Sequence, residues 1–330
     1  MKKSQISTIA LIVCLAILAA GAWMMFGQST GIANADKYTA GDTEINDPVE
    51  NLDVDWTAGE VVVEYHAGSG VKITESSTKE IAEDRKMQWW LDGTTLRIRY
   101  EKQAIRLFSN DPGKTLTISL PEGIELKTAD IRLTSGEMRI PELTADEALL
   151  GCTSGRVDAA VKARTLKCEG TSGDLIIRQT GDSDSVTISS TSGTVTADLE
   201  NAKTVEAGTT SGKVTLTVSG SADSIRAHST SGDVIADANE VKKADLSSTS
   251  GSITFSAGAF EELKAGSTSG GITVRLPAEP GFTVEASTTS GSFNSDIAMG
   301  KEGNRYTCGD GSAKCVLSAT SGDIRVEERK

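Results

Sequence analysis

Ten copies of Thr-Ser-Gly punctuate the chain, beginning at Thr134, Thr153, Thr171, Thr191, Thr210, Thr230, Thr249, Thr268, Thr289 and Thr320. The intervals are 19, 18, 20, 19, 20, 19, 19, 21 and 31 residues. A fixed period of this length marks a stack of small units. The flanks say which kind. Counting from the Thr, the fifth residue before it runs Val186, Val205, Ile225, Ala244, Leu263, Val284 over the later copies, and the third before it Ile188, Ala207, Ala227, Leu246, Ala265, Ala286. The fourth after it runs Val195, Val214, Val234, Ile253, Ile272, Phe293, and the sixth after it Ala197, Leu216, Ala236, Phe255, Val274, Ser295. Residues between these columns are mostly polar. Period-2 alternation on both sides of a fixed corner predicts two short strands per unit, each with one inward face.

One such unit cannot bury its apolar face alone, and stacking in register buries it continuously. The expected fold is all-β: a single-chain parallel β-solenoid of about 19-residue rungs. The corner glycines Gly136, Gly155, Gly173, Gly193, Gly212, Gly232, Gly251, Gly270, Gly291 and Gly322 are read as structural turn residues that supply φ > 0. The Thr and Ser beside them are expected to stack as hydroxyl ladders. Sugar binding by those hydroxyls is the functional alternative. A narrow interior takes Ala, Val, Ile and Leu, which accounts for an aromatic content of only 4%.

Outward columns carry the charge. Four before the Thr stand Glu206, Arg226, Asp245, Lys264 and Glu285, alternating in sign, as a solvated and self-satisfied face would. Formal net charge is −13, which disfavours nucleic acid and anionic surfaces as partners.

Lys2 and Lys3 precede an uncharged run, residues 9–27, long enough for one N-terminal transmembrane helix. The positive-inside rule then places the remainder outside the plasma membrane. Cleavage after the small residues ending at Ala35 would instead release a secreted protein; the length of the run favours the retained anchor. Beyond the two lysines, 31 basic residues face 46 acidic ones, so the exported part carries −15.

The organisation is therefore an n-region at 1–8, an anchor at 9–27, a linker at 28–48, atypical cap rungs at 49–125 and the repeat coil at 126–328. In the cap, Leu52, Val54, Val61 and Val63 fill the inward columns of a degenerate unit around Thr57-Ala58-Gly59. Asp92-Gly93 turns a hairpin. Trp56, Trp89 and Trp90 are expected as a lid, with an aromatic binding platform as the alternative. At the other end a Gly-rich insertion turns at Gly309-Asp310-Gly311, and the last unit closes the coil at Val326.

Cys308 and Cys315 flank that hairpin and are a possible disulfide, although Cys315 falls in an inward column and fits a buried thiol nearly as well. Cys152 and Cys168 lie out of register and are read as free thiols. No Cys/His spacing fits zinc, and no nucleophile or phosphate-loop motif is present. Asp174, Asp233 and Asp323 share a column, but Arg156, Thr194, Lys213 and Ser252 interrupt it; paired-carboxylate hydrolysis is the enzyme reading left open, because carboxylates on adjacent rungs can pair. Catalytic, cofactor-binding and metal residues are expected to be absent.

The Thr-Ser-Gly repeat, the entry Leu120-Pro121-Glu122-Gly123-Ile124 and the ending from Gly309 through Ser318-Ala319-Thr320-Ser321-Gly322-Asp323-Ile324 resemble the bacterial putative-adhesin family of unknown function. The resemblance covers about residues 49–328. It implies a membrane-anchored or secreted β-repeat protein, and similar domains occur in Gram-positive envelope-stress proteins. The C-terminal cysteine pair departs from the usual pattern. The resemblance supplies no catalytic residue. The functional expectation is a non-catalytic, adhesin-like surface or scaffolding protein that binds a glycan or protein of the cell envelope. The alternative is an envelope-stress sensing component that binds a partner protein or cationic peptide.

Overall fold

The computed structural model describes residues 32–101, 113–279 and 281–329. The expected anchor at 9–27 lies outside them. Among the described residues no helix is long and apolar enough to cross a membrane. Apart from the 3-10 turns Ala35–Lys37 and Glu83–Arg85, the regular structure is β-strand.

Each unit has two arms. In the strand Val214–Ser229, residues 214–218 pair in parallel with 195–199 on one side and 234–238 on the other; residues 222–229 do the same with 202–209 and 241–248. The inward columns align as the alternation requires. Val205, Ile225, Ala244 and Leu263 stand in register and are buried, as are Val195, Val214, Val234 and Ile253. Units of 19 and 20 residues stack without dephasing because the extra residue is accommodated between Leu199 and Ala202, or between Val218 and Ser221, at the corner opposite the tripeptide.

The tripeptide corner is invariant for a reason other than left-handed backbone alone. Gly136 and Gly155 have φ near +134° and +138°, but Gly212 lies outside the left-handed region. What unites the column is contact. A Cβ on Gly212 would overlap the carbonyl oxygen of Gly193, and one on Gly232 would overlap that of Gly212. The same relation links Gly59, Gly136, Gly155, Gly173, Gly193, Gly212, Gly232, Gly251, Gly270, Gly322 and Gly291, in that order. Backbone stacks on backbone there, and a side chain has no room.

That order exposes a correction. Chain order and spatial order part at both ends. The strand Asn51–His66 lies between the first repeat, Leu126–Ile140, and a rung made by Thr95–Arg99 and Lys114–Pro121. At the far end, Ala313–Ser321 pairs with Ile253–Ser269 on one side and Gly281–Ser290 on the other. Its continuation, Ile324–Glu328, lies between Ile272–Leu276 and Phe293–Ser295. The last unit does not close the coil; it is intercalated. The charged column is cut by the same event, because Val316 separates Lys264 from Glu285.

The end strands are antiparallel. Gln88–Asp92 pairs with Thr95–Arg99 across Gly93, and Val71–Ser77 pairs with Lys114–Pro121. The expected linker contributes too: Thr39–Ala40 pairs with Gln88 and Trp89, and Thr43–Ile45 pairs with residues 71–73. Ordered fold thus begins by Thr39. At the C-terminal end, Arg305–Gly309 runs antiparallel to residues 281–285 and carries Gly300–Glu302 on its other side. Tyr306 stacks on Phe293 with ring centroids 4.2 Å apart, covering the end of the coil.

Trp56 is no lid. It is fully buried, in register with Leu133, and meets Tyr100 edge-on at 4.8 Å. Beside it Lys114 ends the glycine column. Its ammonium, fully buried, contacts Glu75 Oε1 at 2.6 Å, donates to Arg85 O at 2.8 Å and to Tyr100 O, and lies 3.8 Å from the Tyr100 ring centroid. Glu75 in turn accepts the Met87 N–H. Burial of this pair is tolerable because its charges are compensated; removing one partner would cost on the order of 3–5 kcal/mol.

Two outcomes follow from the stacking. Gly212→Val should destabilise by about 1–3 kcal/mol through overpacking, whereas exposed Lys264→Ala should cost under about 1 kcal/mol; thermal melts of the two variants test this, and equal shifts contradict the contact. In hydrogen-exchange mass spectrometry, residues 313–321 should be as protected as residues 222–229, since both have partners on two sides. A stack in chain order would make the former an exposed edge.

Candidate functional site

The columns that offered chemistry are used by the coil itself. Asp174 Oδ1 accepts the Thr194 N–H at 3.1 Å, Asp233 Oδ1 accepts the Ser252 N–H at 2.9 Å, and Asp323 Oδ1 accepts the Ser292 N–H at 2.8 Å and the Ser292 hydroxyl at 2.9 Å. Each carboxylate caps a backbone group one rung away. The Ser292 N–H and hydroxyl hold the Asp323 carboxyl below the usual carboxylate range. No two of these carboxylates stand together across one substrate position, since each belongs to a different, separated rung.

The hydroxyl ladder exists one residue earlier than expected. Thr209 Oγ1 donates to Gly193 O at 3.2 Å, Ser229 Oγ to Gly212 O at 3.0 Å, Ser248 Oγ to Gly232 O at 3.0 Å, Ser267 Oγ to Gly251 O at 2.9 Å, and Thr288 Oγ1 to Gly322 O at 3.1 Å. These hydroxyls tie five rungs to the corner glycine of a neighbour, whereas the buried Ser190 hydroxyl of the same column makes no such bond. The tripeptide Ser residues stack through their backbones, as in Ser231 N–H to Thr210 O at 2.9 Å. The signal was present in the sequence, in the hydroxyl residue that precedes six of the ten tripeptides.

The described cysteines are free thiols. Cys308 stands opposite Phe282 and Cys315 opposite Val284, on the two sides of one strand. Two strand spacings, roughly 10 Å, separate them. That exceeds the reach of a disulfide, so the expected bridge is not made. Burial pushes the Cys315 thiol up to about 12 and also raises Cys168. Neither is a nucleophile at neutral pH. His228 covers Gly208 and is held below its ordinary value by burial. His66 closes a local turn through the Gly68 N–H at 3.0 Å and Gly70 O at 2.9 Å. Among the described residues no group of three His, Cys, Asp or Glu is placed to hold a metal.

An open groove of about 650 Å³ runs along the corner opposite the glycines. Arg164, Asp184, Lys203 and Asp223 alternate along it, one per rung, and Lys242 continues the column on the next rung. Asp184 meets Lys203 at 2.6 Å and Arg164 at 3.8 Å, and Lys242 meets Asp223 at 2.6 Å. The Lys203 hydrogen bond lowers the Asp184 pKa, and Asp184 raises that of Lys203. This column, seven before the Thr, is the ion-paired ladder. The column four before it, singled out from sequence, aligns Glu206, Arg226, Asp245 and Lys264 in register, yet Lys264 makes its ion pair with Glu262 on its own strand. Trp90, half-buried like Trp89, is covered by Tyr38 at 5.8 Å and by Lys37.

A family model described as Toastrack DUF4097 matches residues 49–327. The chain belongs to the Toastrack DUF4097 family. No curated protein matches it. This Toastrack chain is similar to solved structures described as putative adhesins from Parabacteroides merdae (12% identity, 89% of this chain and 97% of that one, TM-score 0.45) and Bacteroides fragilis (14%, 90% and 100%, TM-score 0.32). Another, from Parabacteroides distasonis, is described as a putative lipid binding protein (13%, 89% and 97%, TM-score 0.40). Such likeness concerns the fold alone.

The Asp323 contact fixes a pH dependence. A depressed folded pKa stabilises the protein above the unfolded value of about 3.9 and is lost as pH falls through the folded value. The melting-temperature gap between the native chain and Asp323→Asn should therefore narrow as pH falls through that window. A gap constant with pH contradicts the capping role.

Proposed function

We propose that this Toastrack chain is a membrane-anchored surface protein whose coil serves as a non-catalytic binding or scaffolding element at the cell envelope. One observation carries the reading. The carboxylate column that could have served hydrolysis is engaged by backbone N–H groups of neighbouring rungs. An enzyme needs convergent groups left free to act; a scaffold needs them bonded. The uncharged run at 9–27 behind Lys2 and Lys3 supports display outside the membrane.

A second reading rests on charge. The exported part carries −15, which favours a cationic peptide or the basic face of a partner protein, as in envelope-stress sensing. Its affinity would weaken with salt.

Protease treatment of intact cells should release fragments from the region beyond residue 48 while a cytosolic marker stays intact; protection of both ends the surface reading. Titration of a polylysine peptide at low and high salt separates the two readings. Salt-sensitive binding supports the second, and absence of binding at low salt removes it.

A further inference from the structure

We propose that the C-terminal rung is an exchangeable element and that a second copy of this chain can donate its own rung into the same slot. Ala313–Ser321 and Ile324–Glu328 occupy a slot between two rungs that precede them in sequence. The slot must therefore stand open, or be closed on itself, until residues 313–328 enter it. Cys315, Leu317, Ile324 and Val326 then fill it, all fully buried.

The two walls are built to meet. Without the intercalated rung, Leu263 would stand beside Val284, Ala265 beside Ala286, Ile272 beside Phe293 and Gly270 beside Gly291. Each wall's inward columns match the other's. Lys264 would come to face Glu285, extending the alternation of Glu206, Arg226, Asp245 and Lys264 by one more opposite charge. In the structure Val316 stands between them. The wall-on-wall arrangement is thus a second self-consistent packing of the same residues, which gives the rung somewhere to leave from without exposing the coil interior.

The occupant of a vacated slot must reproduce two arms, a corner glycine at 322 and four inward apolar positions. Residues 313–328 carry that pattern, with Gly322 at the corner and Cys315, Leu317, Ile324 and Val326 inward, in register with both walls of this slot. A second copy supplies an identical one, and exchange of an identical element is a low-cost route to a dimer. The connection permits it. The rung is joined to the antiparallel strand Arg305–Gly309 through residues 310–312 alone, with Gly309 and Gly311 at φ +57° and +70°. Opening that tight turn into an extended hinge carries the rung away from its own slot. Leaving also breaks the Arg329 contacts to Asp237 at 3.0 Å and Ala238 O at 2.9 Å, which a partner's slot offers again.

Lys264 and Val316 are register partners with outward side chains, at a separation that a disulfide can span. Full-length Lys264→Cys and Val316→Cys are made separately in a background where Cys14, the cysteine of the uncharged run 9–27, is replaced by Ser so that it cannot cross-link; the two are mixed, unfolded, refolded together and oxidised. Exchange predicts a Lys264→Cys/Val316→Cys heterodimer well in excess of either homodimer, and a further increase when Asp310 and Gly311 are deleted to prevent the tight turn. The double variant in one dilute chain should close internally, which reports that the rung seats normally. Heterodimer no more abundant than the homodimers overturns the proposal, because that is random collision. A refolded hinge-deleted chain that stays monomeric at high concentration, with its rung protected from hydrogen exchange, also overturns it.

Discussion

Backbone-to-backbone contact at the glycine corner is the constraint on which the other features depend. A rung repeat of about 4.8 Å leaves no space for a Cβ where successive corners lie directly over one another. Once that corner is fixed, each neighbouring element has its position set. Inward columns fall over inward columns, the hydroxyl before five of the tripeptides reaches the glycine carbonyl of the adjacent rung, and the aspartate after three of them caps an adjacent N–H. Length variation is pushed to the far corner, where bulges tolerate it and where charges, rather than backbone contact, hold neighbours together.

Much of this was legible in the sequence, because the coil is periodic and periodicity records local geometry. The inward columns, the two-armed unit, the degenerate unit around Gly59 and the hairpin at Gly93 could all be read from alternation and turn residues. The reason for Gly212 was misread. Sequence shows that a glycine recurs, not whether it is there for its φ or for lack of a Cβ. The hydroxyl ladder lies one residue from the tripeptide for a similar cause, since an exact repeat marks the corner while the less exact column beside it supplies the inward hydroxyls.

Non-periodic features were illegible. Intercalation at the two ends depends on which surfaces meet in space, and the column Lys264, Glu285 is, by itself, better evidence for the wrong neighbour. The Lys114–Glu75 pair joins residues from two strands with no spacing rule between them. The cysteines show the same limit: Cys308 and Cys315 are near in sequence but stand on opposite sides of one strand.

The intercalated first rung has a mechanical meaning. A pull from the N-terminal side first meets the short strands Thr39–Ala40 and Thr43–Ile45, each paired on one side, and then Asn51–His66, a strand that is hydrogen-bonded along both of its edges. An edge strand could be peeled away one bond at a time. A sandwiched strand must shear against two ladders together, so load is shared across many bonds before any gives way. The doubling back of the chain makes the first rung a clamp behind two strands that can peel.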